Sequence, residues 1–389
     1  MAKLAPSPNP SILRWAREKA GLSQEEAARR LSLRPSKKET NLIAEFEKGS
    51  SVPTPKKLIE IAKLYRRPLI TFYLEKPPVE APKGEDFRTL HGSGLHEENP
   101  TLDALIRDVY VRQNIVKEAL FDAEVAIKNP IVNSITLDKK IGYCSEKIIS
   151  ECEISLTEYR AERDAHEAFN YLRKKIESKG IYVLLMGNLG SHHSNIPVEV
   201  FRGFTISDAY APFIIINDND SKYAWSFTLL HELVHIFLGA SGISGTFSEN
   251  KIEKFCNDVA SNILLSEKAF DSLDIYEDIE LDKIIDIASS KSNEMNISAS
   301  MITYRAFSRG LITHDEWQET AKHFRDLWKK NKENAEKSRG TYYVTKRHKT
   351  GNALITTVKR SILDGVMSQT KAGKVLGVKP GNVAEMVGL

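Results

Sequence analysis

The chain has 389 residues, 41% hydrophobic and 28% charged, enough for two or three domains with real cores. It lacks the run of about 18 apolar residues a membrane span needs, and MAKLAPSPNPS lacks the apolar core of a secretory signal. The net charge of +3 hides an asymmetry: residues 1–70 carry 15 Lys and Arg against 7 Asp and Glu, residues 322–389 carry 15 against 5, and the middle is acidic. The basic ends are therefore the parts expected to meet polyanions. Cys144, Cys152 and Cys256 are scattered and none has a CxxC partner. Reduced thiols and a cytoplasmic setting are expected, and a zinc ribbon is not.

Residues 11–73 read as short helices. SILRWAREKAG stops at Gly21, a residue favoured just past a helix end. Ser23 with Glu26 forms a capping box that opens SQEEAARRLSL. Two helices joined by a tight Gly-containing turn suggest a helix-turn-helix unit. KKETNLIAEFEKG, with Leu42, Ile43 and Phe46 on one face, supplies the next helix.

Gly21-Leu22-Ser23-Gln24-Glu25-Glu26-Ala27-Ala28, Phe46-Glu47-Lys48-Gly49, Pro53-Thr54, Leu58 and Ile61-Ala62 together resemble the phage-repressor-type (Xre/Cro) helix-turn-helix domain. Phe46 stands where that family usually has Trp, and the loop LRPSKKET is longer than usual. The resemblance implies a recognition helix over residues 37–48 lying in the major groove. Lys37, Lys38, Thr40, Asn41 and Glu45 are then candidates to touch DNA, with Gln24 on phosphate. The basic charge of residues 1–70 favours DNA over a protein-docking role.

FYLEKPPVEAPKGEDFRTLHGSG reads as an extended linker. Helical periodicity resumes in TLDALIRDVYVRQNIVKEALFDAEV and around residues 143–178. There EYRAERDAHEAFNYLRKKIESKG is expected as one amphipathic helix with His166 exposed. The period then changes. Residues 181–186, 199–206 and 212–217 read as three strands, separated by GNLGSHHSNIP and NDNDSKYA loops. His192 and His193, in a Gly/Ser/Asn loop, read as a surface pair.

SFTLLHELVHIFLG follows, with His231-Glu232-x-x-His235 inside an apolar helix. At 3.6 residues per turn the two imidazoles share one face, as a tetrahedral metal requires. Glu232 beside them is placed to hold and deprotonate water rather than to bind the metal. Three ionisable groups in so apolar a helix are costly to bury without a shared partner. A small sheet leading into such a helix resembles the zincin scaffold, in which a sheet strand can hold an extended substrate by edge pairing. The third ligand should come from residues 249–266, where Glu249, Glu253 and Asp258 are the acids. Glu253 and Asn257 share a face, Phe255, Val259 and Ile263 point away, and the glycine-rich turn GASGISG leaves room for a return helix. Glu253 is chosen.

Pro212 to Asn217, Phe227 to His235 and Glu253-Lys254-Phe255-Cys256-Asn257-Asp258-Val259-Ala260 resemble the ImmA/IrrE family of zinc metallopeptidases. Pro77-Pro78, Asp86-Phe87-Arg88, Ile297-Ser298, Arg305 and Gly310-Leu311-Ile312 fit members that carry an N-terminal helix-turn-helix. The resemblance implies Zn2+ and cleavage of a repressor-like helix-turn-helix protein, relieving repression. Phe255-Cys256-Asn257 departs from the Glu-Ala-Asn of many relatives, which leaves Glu253 as the available acid.

Beyond residue 266, an acidic helical face, a helix-turn unit with Met301, Ile302 and Phe307 as core, and a basic linker helix (HFRDLWKKNKENAEKSRG) are expected. The tail has a β-like start at TYYVTK and ends in a second helix-turn-helix-like pattern, Ser368-x-x-x-Ala372-x-x-x-Leu376-Gly377-Val378-Lys379. Its basic charge fits nucleic acid or control of the catalytic domain.

The expected fold is thus α+β and mostly helical: an N-terminal helix-turn-helix bundle, a zincin-like domain with a small β-sheet and HExxH helix, and a basic C-terminal region. Boundaries are expected at 1–74 (DNA-binding domain), 75–100 (linker), 101–270 (metallopeptidase), 271–330 (helical extension) and 331–389 (basic region). The competing functions are a DNA-binding regulator whose zinc domain senses a ligand without proteolysis, and a toxin–antitoxin or phage-defence component.

Overall fold

The structure, a computed structural model, describes residues 7–33, 41–78, 99–190, 194–240, 242–244, 251–277, 279–334 and 341–389. The described residues form two compact units, 7–107 and 108–389.

In the first unit lie α1 (Pro10–Lys19), α2 (Gln24–Arg30), α3 (Leu42–Lys48) and α4 (Pro55–Leu64), then a 3-10 turn over Leu69–Tyr73. Asn9, Ser23, Asn41 and Thr54 cap the four helices with side-chain oxygens, as the short polar residues before each apolar run dictate. Ile12, Leu13, Ala27, Ile43, Phe46, Leu58 and Ile61 close a core of their own. Beneath it Arg17 donates to both carboxylate oxygens of Glu47, at 2.6 and 3.0 Å, and Gln24 adds a third bond to the same carboxylate. Of the expected recognition helix, Leu42–Lys48 form α3, capped by the Asn41 side chain on the Ile43 amide, and residues 37–40 lie outside the described residues.

α5 (Pro100–Asp122) carries the chain into the second unit, followed by α6 (Ile141–Glu151), α7 (Leu156–Ala161) and α8 (Ala165–Glu177). The single helix expected over this stretch is broken, since the Asp164 carboxylate accepts from the His166 and Glu167 amides and starts α8 afresh. The sheet comprises β1 (Tyr182–Leu185), β2 (Gly203–Ile206), β3 (Phe213–Ile216) and β4 (Gly242–Ser244), in the order β1-β3-β2-β4. β1 runs parallel to β3, and β2 pairs antiparallel with both β3 and β4. Every residue of β1, β2 and β3 is buried, which is why these strands read as apolar runs rather than as alternating ones. Residues 199–202, expected in a strand, form a turn and its exit instead. β4 was expected as part of a turn.

α9 (Lys222–Leu238) packs on β2 and β3, and α8 on β1 and α9. α10 (Lys251–Leu264) returns along α9, and α11 (Glu267–Asp271), α12 (Leu281–Met295), α13 (Ala299–Ser308) and α14 (His314–Asn334) follow. Met301 and Ile302 are buried as expected, and Phe307 is partly buried against Trp317. The C-terminal residues form α15 (Tyr342–Thr350), α16 (Asn352–Leu363), α17 (Gln369–Leu376) and α18 (Val383–Val387). TYYVTK is therefore helical, not β-like. α15 and α16 pack on β1, so the β-branched and aromatic bias of that stretch yields to tertiary packing.

A buried ion pair holds this region. Arg173 donates to the carbonyls of His348 and Val183, while Glu177 accepts from the Asn352 and Ala353 amides at 3.1 and 3.2 Å. Gly351, at φ +86°, lets the chain through, since a Cβ there would come within 2.7 Å of the Val183 carbonyl. His166 is not exposed as expected: its Nε2 lies 3.0 Å from Nε2 of His348, whose own ring meets Asn170.

Burial, then the positive charges of Arg173, His166 and Lys222 against a smaller opposing effect of Glu167, pushes His348 down from 6.5 to about 4. A base held neutral in the folded state supports folding above its unfolded value and loses that support as pH falls. The stability of the second unit should therefore decline between about pH 6.5 and pH 4. Urea midpoints at about pH 7 and pH 5 should differ less in His348→Gln than in the wild type, and equal differences would contradict this.

Candidate metal centre

α9 is apolar almost all round, and twelve of its seventeen residues are buried, so it is a core helix. Ser221 caps its start, and Gly239 ends it in the left-handed conformation at φ +70°. His231 and His235 sit one turn apart on it, 3% and 2% exposed. Glu253, in the first turn of α10, meets both from the facing helix. Nε2 of His231 lies 3.2 Å from Nε2 of His235 and 3.2 Å from Oε2 of Glu253, and Nε2 of His235 lies 3.3 Å from Oε1.

That triangle fits a divalent cation. Donors about 2.0–2.1 Å from a tetrahedral centre stand roughly 3.3–3.4 Å from one another. Two imidazoles and a carboxylate converging at this spacing are the donor set such a site uses. Electrostatics agree. Burial alone would raise Glu253, but its contacts with His231 and His235 outweigh it and hold the carboxyl well below its usual range. Burial alone would lower His231, and the Glu253 carboxylate against its ring raises it instead. Positive charge is thus favoured at this point in a low-dielectric core.

Glu232 is fully buried. It belongs to a different contact set: Thr205 Oγ1 of β2 lies 2.8 Å from its Oε2 and 3.1 Å from its own carbonyl oxygen. The carboxylate lies close against Gly203, where an added Cβ would stand 2.8 Å from Oε1 and 2.8 Å from the Thr228 methyl. β2 therefore aims Glu232, and sequence reasoning missed both residues. The available signal was a hydroxyl and a glycine in a strand otherwise wholly apolar.

Of the other acids, Asp258 is turned to the Tyr304 hydroxyl at 2.8 Å, and Glu249 lies outside the described residues, as do His192 and His193. Cys144, Cys152 and Cys256 are buried free thiols. Burial, then Glu253 and Glu232, pushes the Cys256 thiol up, and it is not among the three donors that converge. Tyr210 packs edge-on against Phe121, and the Tyr223 hydroxyl bonds Asn293.

Among the expected DNA contacts, Lys37, Lys38 and Thr40 lie outside the described residues. Gln24 is half-buried on Glu47, Asn41 caps α3, and Glu45 lies on α3 half-buried.

Family comparison places these residues. The IrrE N-terminal-like domain of the M78 peptidases matches residues 177–307, from the end of α8 through α13 and including all of the triad. The helix-turn-helix family matches residues 13–72. The chain carries an Xre-type helix-turn-helix domain followed by an ImmA/IrrE domain. The first is a DNA-binding type and the second a metallopeptidase type. Neither the curated proteins nor the solved structures gave a match. No described helix is long and apolar enough to cross a membrane.

The close approach of Gly203 to Glu232 in the ImmA/IrrE domain gives a direct expectation. Gly203→Ala should overpack this contact and cost about 1–3 kcal/mol. A denaturant midpoint unchanged from the wild type would mean that the strand and helix have room to part.

Proposed function

We propose that the chain is a zinc-dependent endopeptidase that cuts a repressor-like helix-turn-helix protein and so relieves repression. The observation that carries this reading is the division of labour on α9. His231 and His235 converge with Glu253 on one point, while Glu232 between them is held apart by Thr205. A site that only binds or senses has no use for that fourth group.

His231, His235 and Glu253 would hold the ion. When bound, zinc supplies Lewis acidity, acidifying water and polarising a peptide carbonyl. Glu232 accepts the proton as the water oxygen bonds to the carbonyl carbon, then delivers it to the amine nitrogen as the C–N bond breaks. β4, at one edge of the sheet and next to β2, supports substrate binding by strand addition.

The helix-turn-helix domain would bring this activity to DNA. Lys37, Lys38, Thr40, Asn41 and Glu45 are assigned to the groove and Gln24 to phosphate, which requires Gln24 to leave or share Glu47. The peptidase is assigned to residues 101–270, a helical extension to 271–330 and a basic region to 331–389, with a cytoplasmic setting.

Glu232→Gln should retain the ion and the fold yet fail to cleave a co-expressed repressor-like protein. Cleavage at wild-type rate by that variant would remove Glu232 from the mechanism. Absence of cleavage by the metal-loaded wild type would favour a regulator without proteolysis.

A further inference from the structure

A second site lies elsewhere in the same unit. A cavity of about 190 Å³ opens past the carboxyl ends of the parallel strands β1 and β3, and none of its lining residues belongs to the metal triad. In open α/β sheets this end of parallel strands is where ligands collect. Arg112 of α5, Lys346 and Lys349 of α15, and Asp108 and Asp218 line it, and Gly377 at the end of α17 borders it. A neighbouring cleft of about 480 Å³ shares Asp108, Arg112 and Gly377 and adds Lys374 and Tyr342.

The charges do not balance. Arg112 and Lys374 both bind Asp108, each at 2.7 Å, and Lys349 binds Asp218 at 2.5 Å. The Lys346 ammonium has no hydrogen-bond or ion-pair partner among the described residues, although it is only partly exposed. Three cations thus line the cavity against two carboxylates, and the adjoining cleft adds Lys374 and Lys379. Burial above all, then Arg112 and Lys349, pulls Lys346 down to about 8, against the smaller opposing effects of Asp108 and Asp218. Lys346 lines a concave wall built from α5, the strand ends and the C-terminal helices.

We propose that this cavity binds a small phosphorylated ligand, with its phosphoryl group among Lys346, Arg112 and Lys349. A dianion is the chemistry that neutralises the excess, and the Lys346 ammonium and Arg112 guanidinium, which both lie against Gly377, are the groups that usually bind one. The bound ligand would also tie α15 and α17 to the sheet, which gives the basic C-terminal helices a role in sensing within their own unit.

The test is calorimetric titration of the full chain with inorganic phosphate and, separately, AMP, at constant ionic strength. Saturable binding at one site per chain is expected, and it should persist in His231→Ala, which separates it from phosphate on the metal. Lys346→Met should weaken it about ten-fold or more, the size of one charge-assisted contact. Lys346→Arg should retain it, which guards against a folding defect in the Met variant. Tighter binding of AMP would identify a nucleotide as the natural ligand, and equal binding the free ion. No saturable binding of either probe, or wild-type affinity in Lys346→Met, would overturn the proposal.

Discussion

The carboxylate of Glu253 lies between two imidazoles in the middle of an apolar core, and the second unit is arranged around making that tolerable. An ionised carboxylate without partners is among the costliest groups to bury. Here it has His231 and His235 at 3.2 and 3.3 Å, and a cation would bind all three. The geometry demands that α9 and α10 be locked together, because the three donors come from two helices. Packing supplies the lock: α9 buries Leu229, Leu230, Leu233, Val234 and Ile236, and α10 buries Phe255, Val259, Ala260 and Ile263. The sheet provides the other wall, and through Thr205 and Gly203 it also fixes Glu232.

How much of this was legible follows from sequence distance. His231 and His235 were readable because one helical turn relates them and an apolar context marks the helix as buried. Glu253 was readable as a candidate, since only a short connection separates α9 from a second amphipathic helix. Thr205 was not, because its contact with Glu232 spans 27 residues and depends on strand register. The His166–His348 pair spans 182 residues and left no local trace. β4 is three residues with a glycine, and its pairing with β2 is a tertiary fact. TYYVTK misled for the opposite reason: its local bias is real, and packing of α15 on β1 overrode it. The break between α7 and α8 is legible in sequence, since Asp164 is a good N-cap.

Charge segregation along the chain also takes a different meaning in three dimensions. The acidic middle and the basic end meet within one unit: Lys349 with Asp218, Lys374 with Asp108, Lys371 with Glu118. Much of the basic charge of the C-terminal helices is thus committed to holding them in place, and less is left to meet an outside polyanion than the count suggests. In the helix-turn-helix domain, likewise, Arg17 is spent inside on Glu47. A net charge read from sequence bounds what a surface can offer, and the fold decides how much remains.

X-ray absorption at the zinc edge on the purified full chain tests the central claim most directly. The account predicts a four-coordinate ion with two imidazole nitrogens at about 2.0–2.1 Å, the remaining shell being oxygen and no sulfur. A sulfur shell, or a folded chain that retains no divalent ion at all, would contradict it.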